Sequence, residues 1–224
     1  MPTAQPTPRN SRKKKPAITV PLADKAYIAI KKMILTHQLT PGEHINVAIL
    51  CETLSLGRSP IHLAIHRLDR EGLVEILPRK GILVKAETLD GFLDLIASRQ
   101  LVEPYLTGLA VEHSTPELLS RLKQLIEAGK ERHRNNDRYG AMEIDRLFHQ
   151  TLYEAANNKL LADFAAQLLD RSVRLWFRPL TDRNEPANTD ELERLYAEIE
   201  RGDKEAAIQR MQEHIGSIQQ KYLS

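Results

Sequence analysis

The sequence predicts a mostly α-helical protein with an N-terminal winged helix-turn-helix and a C-terminal all-α domain of six helices. Three observations carry this fold class. Two short amphipathic helical patterns lie either side of the four-residue turn Ser55-Leu56-Gly57-Arg58, and a third precedes them. The period then changes from helix to strand around the basic turn Pro78-Arg79-Lys80-Gly81. Beyond about residue 87 only helical periodicity recurs. The chain divides into a flexible basic tail (1–21), a winged helix-turn-helix (22–86) and an all-helical domain (87–224).

The tail is rich in Pro, Thr and Ser and carries Arg9, Arg12, Lys13, Lys14 and Lys15, too little apolar surface to order itself. In the first helix Ala23, Ala26, Tyr27, Ile30, Met33 and Ile34 recur at helical spacing, and Pro41-Gly42 ends the unit. The second helix follows an Asn46 cap and turns one stripe of Val47, Leu50, Cys51 and Leu54 inward. The third is expected to open with Ser59 as cap and Pro60 at the first helical position, where a missing N–H costs nothing. Its buried stripe is Ile61, Ala64, Ile65 and Leu68, and Gly72 stops it. Residues 73–77 and 82–84 read as the two strands of the wing. The remaining helices are expected at 88–113, 115–136, 138–156, 159–177, 189–201 and 203–222, with caps at Thr115 and Thr189 and a break at Gly202-Asp203. Pro104 is expected to kink the first of these. Residues 178–188, with Pro179 and Pro186, form the longest loop.

Composition excludes several classes. No apolar run approaches the roughly eighteen residues a spanning helix needs, and the N-terminus lacks a secretory apolar core. A single cysteine, Cys51, excludes an intrachain disulfide framework, so a cytoplasmic setting is expected. The net charge of +2 conceals an asymmetry: residues 1–86 hold 14 Lys/Arg against 6 Asp/Glu, whereas 87–224 hold 18 against 24. A basic front part suits a polyanion such as double-stranded DNA, and an acidic back part sits away from phosphates.

The outward face of the third helix carries Ser59, His62, Leu63, His66 and Arg70, and Arg58 stands at its entrance. A helix in the major groove needs such groups to meet base edges and phosphates. The Arg58 fork suits a guanine edge or a phosphate. Leu63 suits a thymine methyl or packing on a neighbour, and Arg79 and Lys80 at the wing tip suit an adjacent groove or backbone.

The runs Leu39-Thr-Pro-Gly-Glu43, Gly57-Arg-Ser-Pro-Ile-His-Leu-Ala-Ile-His-Arg-Leu68, Arg70-Glu-Gly-Leu-Val-Glu75 and Pro78-Arg-Lys-Gly81 resemble the GntR family of bacterial regulators. Where that family commonly has Ser-Arg-Thr-Pro-Val-Arg-Glu-Ala-Leu, this chain keeps Arg58, Pro60 and Ala64 but places Gly57, His62 and Leu63 at the variant positions. The resemblance implies DNA contacts by Arg58 and Ser59. The shorter, mostly neutral His62 implies a different operator sequence.

The second part is similar to the FCD effector domain over roughly 92–218, on Arg99 and Glu103, Asp145-Arg-Leu-Phe-His149, Asn157-Asn158 and Gly202-Asp203 leading to His214. Six helices suit the VanR-like branch. The resemblance implies a small organic acid as effector, often held through a divalent metal. Asp145 and His149, four apart on one helix, and an inward His214 are the ligand candidates, for an ion of the Zn, Ni or Mn class. The same residues also suit an Asp–His hydrogen bond and a satisfied core histidine. Where the family usually has a further His, this chain has Leu192, with Glu191, Glu193 and Tyr196 nearby. Three ligands with an open position and a site that has abandoned metal both fit that departure. Arg99 suits a bidentate grip on an effector carboxylate, or an ion pair with Glu103 one turn on. Arg174, beside Trp176 and Phe177, is a second candidate for the effector pocket.

The expected function is that of a homodimeric transcriptional repressor whose operator affinity responds to a small carboxylate, not an enzyme. Two other classes compete: a metal-dependent enzyme domain on a DNA anchor, and an architectural DNA binder without effector. Ligands without an evident nucleophile or base weigh against the first, and a pocketless apolar core around 145–214 would favour the second.

Overall fold

The computed structural model describes residues 20–86, 88–172 and 189–223. The head comprises α1 (Leu22–Leu35), α2 (Val47–Leu54), α3 (Arg58–Arg70), β1 (Val74–Leu77) and β2 (Gly81–Val84). The helical part comprises α4 (Leu89–Glu112), α5 (Pro116–Arg134), α6 (Arg138–Ala155), α7 (Lys159–Ser172), α8 (Thr189–Arg201) and α9 (Lys204–Leu223). Among the described residues this is the winged helix followed by six helices that the periodicity predicts. No described helix is long and apolar enough to cross a membrane.

In the head, Ile61, Ala64, Ile65 and Leu68 of α3 are buried against Ala26, Tyr27, Ile30 and Ile34 of α1, with Leu50 of α2 closing the core. Asn46 caps α2, its side-chain oxygen accepting from the amides of Ala48 and Ile49 at 2.9 and 3.4 Å. The start of α3 differs from expectation. Gly57, not Ser59, is the N-cap, and the helix begins at Arg58, so Pro60 falls at the third helical position. Pro is tolerated there because amides of the first turn have no intrahelical partner to lose. At the other end Gly72 takes the left-handed conformation (φ 71°). Its amide donates to Asp69 O and that of Leu73 to Leu68 O, both at 2.9 Å, which turns the chain into the wing.

The wing is an antiparallel pair with Val74 opposite Val84 and Leu77 opposite Gly81. Residues 42–45 add a third edge that alternation did not predict. The amides of Gly42 and Ile45 donate to Val84 O and Ile82 O, both at 2.8 Å.

The main core of the helical part gathers Phe92, Leu95 and Ile96 of α4, Leu122 and Ile126 of α5, Phe148 and Leu152 of α6, Leu195 and Ile199 of α8, and Met211 and Ile215 of α9. Thr115 caps α5, accepting from Leu118 N at 3.2 Å, and Asp203 caps α9, accepting from Ala206 N at 3.0 Å. Helix α4 continues through Pro104 as one element. The described part of α7 ends at Ser172, so residues 173–177 of that expected helix and the 178–188 loop lie outside the described residues.

Candidate functional site

Two groups of side chains stand out from the packing, one on the surface of the head and one at the centre of the helical part. On α3 the buried stripe forces the opposite face outward. Arg58, Ser59, His62, Leu63, His66 and Arg70 are all exposed, as are Arg79 and Lys80 at the wing tip. Leu63 is 59% exposed, so packing on a neighbour does not account for it. Among the described residues, no side chain caps the first turn of α3, which leaves its amides directed outward beside Arg58. Arg67, also exposed, is committed elsewhere: it lies over the Tyr27 ring, 3.6 Å from its centroid, and its Nε donates to Glu71 at 3.2 Å.

In the helical part, α6 turns Asp145 and His149 inward and α9 turns His214 toward them, as the four-residue spacing and the apolar neighbours predict. The three are buried, and their ligand-capable atoms all lie within 4.8 Å of one another. The two Nε2 atoms face each other at 3.1 Å. Asp145 presents one oxygen 3.9 Å from His149 Nε2 and the other 3.8 Å from His214 Nε2. Its Oδ1 is buried without a hydrogen-bond partner among the described residues.

The outer nitrogens face carboxylates. Glu191 on α8 accepts from His214 Nδ1 at 2.8 Å and from the Ser217 hydroxyl at 3.0 Å. Glu103 on α4 lies 2.7 Å from His149 Nδ1, near enough to favour a proton on that nitrogen, although the pair is not aligned as a hydrogen bond. Protons therefore belong on both Nδ1 atoms and lone pairs on both Nε2 atoms. Two lone pairs 3.1 Å apart repel each other unless a cation or proton lies between them.

A metal fits this set. Nitrogens about 2.1 Å from one ion lie about 3.0 Å apart at a right angle and about 3.4 Å apart at the tetrahedral angle, which brackets the observed spacing. Carboxylates behind metal-binding imidazoles are the usual outer partners.

Leu192 is 3% exposed and belongs to the apolar core. The neighbouring candidates are engaged elsewhere, Glu193 with Lys130 and Tyr196 with Glu200.

Arg99 forms the ion pair with Glu103, but within the core, 1% exposed, rather than on the surface. Its Nε and Nη2 donate to the two Glu103 oxygens and its Nη1 to the Ser172 hydroxyl at 2.9 Å. Burial alone would raise the Glu103 pKa, but Arg99 and then His149 outweigh it and hold the carboxyl well below its ordinary range. Burial likewise opposes the Arg99 charge, and Glu103 outweighs it. Tyr153 is buried against this group, its ring centroid 6.2 Å from that of His149, and burial pushes its pKa up. Glu191, Ser172 and Tyr153 join the cluster by tertiary contact alone; nothing in their spacing singles them out. Arg174, with Trp176 and Phe177, lies outside the described residues.

Comparison with known proteins agrees with both halves. Residues 22–84 match the family described as bacterial regulatory proteins, gntR family, and residues 94–217 match the FCD domain. The chain is 27% identical over 190 residues to the uncharacterized HTH-type transcriptional regulator YdhC of Bacillus subtilis, covering 84% of this chain and 85% of that one. It is 24% identical over 200 residues to the HTH-type transcriptional regulator McbR of Escherichia coli, covering 84% and 90%. The solved structure of E. coli McbR/YncC shares the fold at a TM-score of 0.76 and 23% identity, over 91% of this chain and all of that one. This chain, a winged helix with a basic outward face joined to a helical part around an Asp–His–His cluster, thus belongs to the GntR family of DNA-binding transcriptional regulators, in its FCD class.

Proposed function

We propose that this protein is a homodimeric repressor whose operator affinity is set by a divalent cation on Asp145, His149 and His214 and by a small organic acid that completes the coordination. One observation carries the reading: a buried carboxylate oxygen, Asp145 Oδ1, has no hydrogen-bond partner among the described residues and stands beside two imidazole nitrogens. Ions of the Zn, Ni or Mn class take such a mixed nitrogen and oxygen set. When bound, the cation supplies open coordination positions for an effector carboxylate, because Leu192 contributes no ligand.

The chain's own residues divide the work. Glu103 and Glu191 hold the imidazole tautomers, and Arg99 fixes Glu103 from behind. Arg99 therefore acts as a positioning residue, its fork being taken by Glu103 and Ser172. Support for a homodimer comes from two exposed apolar pairs on the neighbouring helices α4 and α7: Leu101 with Tyr105, and Leu160 with Phe164. A two-fold dimer presents two heads to half-sites about 34–36 Å apart.

Titrating the purified protein with Zn²⁺, Ni²⁺ and Mn²⁺ by calorimetry, followed by operator binding with and without metal and a panel of di- and tricarboxylates, tests the reading. The expected result is one ion per chain and at least a five-fold change in operator affinity, the lower end of ordinary allosteric coupling. No ion bound and no change across the panel would reject it. On the DNA face, Arg79→Ala should weaken binding to all sequences and lower the slope of log affinity against log salt by about 0.9, the value for one phosphate. Arg58→Ala should also flatten discrimination at one base pair by about 1–3 kcal/mol. Binding isotherms on operator and scrambled duplexes at several salt concentrations separate the two, and equal behaviour of both variants would undo the assignment.

A further inference from the structure

The head and the helical part meet through charged groups that neither the DNA face nor the metal cluster uses. Lys31 on α1 is 8% exposed, unusual for a lysine, and it bridges the two parts. Its ammonium lies 3.2 Å from Asp170 on α7 and 3.3 Å from Glu71, and it donates to the Tyr27 hydroxyl at 2.9 Å. Burial opposes its charge, but Asp170 and Tyr27 outweigh the penalty, so Lys31 remains an ammonium.

Both ends of this contact lead somewhere. On the sensor side, the other Asp170 oxygen accepts from Arg146 Nη1 at 3.2 Å. Arg146 follows the ligand candidate Asp145 directly on α6. One turn earlier, Met142 of α6 is buried against Leu35 of α1, with Tyr139 beside them. Lys32 of α1 lies over the Tyr139 ring, 4.9 Å from its centroid. On the DNA side, Glu71 is the C-cap of α3, accepts from Tyr27 at 2.8 Å and pairs with Arg67 in the last turn of α3. Polar contacts thus run without a break from the helix bearing Asp145 and His149 to the end of the helix bearing Arg58.

We infer that Lys31 couples the two domains: the chain Arg146–Asp170–Lys31–Glu71 transmits the position of the sensor helices α6 and α7 to recognition helix α3. The physical reason is geometric. Residues 142, 145, 146 and 149 share one side of α6, so a shift that draws Asp145 and His149 around an ion also moves Met142 and Arg146. Lys31 is held from both domains in a mostly buried setting, where a lost partner is costly. It therefore favours discrete arrangements over gradual sliding. That the input is a metal rests on the function proposed above; the coupling itself does not.

The test uses full-length protein with Lys31→Met, Asp170→Asn, the double variant and Lys31→Arg. Operator affinity is measured without metal and with saturating Zn²⁺, alongside calorimetric Zn²⁺ binding and hydrogen exchange of the amides at 67–73. Asp170→Asn lies in the other domain from the DNA face, yet it is expected to change metal-free operator affinity at least five-fold and to raise exchange at 67–73. Lys31→Met should do the same, and the double variant no more than either alone. Any Zn²⁺ response of the wild type should fall toward one-fold in these variants while Zn²⁺ binding stays within about three-fold. Lys31→Arg, which keeps the charge, should retain the response. Unchanged operator affinity and exchange in Asp170→Asn and Lys31→Met would overturn the inference. A wild type blind to Zn²⁺, with variants that still shift operator affinity, would remove the metal as input and leave the coupling standing.

Discussion

Replacing Glu103 by Gln is expected to cost about 3–5 kcal/mol of folding stability, the usual penalty when one partner of a buried ion pair is removed. Arg99 is 1% exposed and keeps its charge in any folded state, and Glu103 is the carboxylate its fork engages. Gln preserves shape but leaves the guanidinium uncompensated, with only Ser172 as a further bonded partner among the described residues.

The pH dependence has a definite sign. The folded Glu103 pKa lies below its ordinary value, so its contribution is fully present above the ordinary carboxylate range. It is lost only as pH falls below that range, through the folded pKa. Wild type should therefore lose stability steeply in acid, and Glu103→Gln should show a shallower acid dependence from a lower plateau. Metal affinity should also drop about 10- to 100-fold, because His149 loses the group behind its Nδ1. Denaturant unfolding between pH 7 and pH 3 checks the first effect and calorimetry the second. Wild-type stability in the variant would show that Arg99 does not depend on Glu103.

Asp145→Asn should have opposite effects on the metal-free and metal-bound protein. Without metal the Asp145 carboxylate is buried and its Oδ1 lacks a hydrogen-bond partner among the described residues, so removing the charge should raise Tm. In a chain of this size each kcal/mol is worth about 2–4 °C. Adding Zn²⁺ at a hundred times its Kd should stabilise wild type by about 2.7 kcal/mol and the variant hardly at all, since a ligand is gone. Thermal scans with chelator and with Zn²⁺ provide the four numbers. A variant less stable than wild type in chelator would mean that Asp145 serves a structural bond instead.

Much of the head was legible in the chain itself, for a local reason. The stripe Ile61, Ala64, Ile65 and Leu68, the Asn46 cap and the Gly72 stop each depend on neighbours within a turn or two, and the structure has all three. The error at the start of α3 has the same locality. Ser59 and Gly57 are both acceptable caps, and the choice fell to Gly57, which takes an extended conformation at the end of the turn. The third edge of the wing could not be read from residues 42–45, because its partners lie some forty positions away.

The buried Asp–His–His cluster divides along the same line. Spacing alone places Asp145 beside His149, and the apolar surroundings of His214 alone turn it inward. Which carboxylate stands behind each imidazole depends on how α4 and α8 pack against α6 and α9, and so does the burial of Arg99. Lys31 makes the point most plainly. In sequence it is one of many lysines on a helix, and only the docking of α1 on α7 gives it Asp170 as a partner. The sequence by itself determined the helices, the wing, the outward face of α3 and the three ligand candidates, because periodicity and capping act over a few residues. The tertiary structure decided the outer carboxylates, the buried Arg99–Glu103 pair and the Lys31–Asp170 contact between the head and the helical part. Electrostatic partners across a fold are set by packing at long range, and no local pattern encodes them.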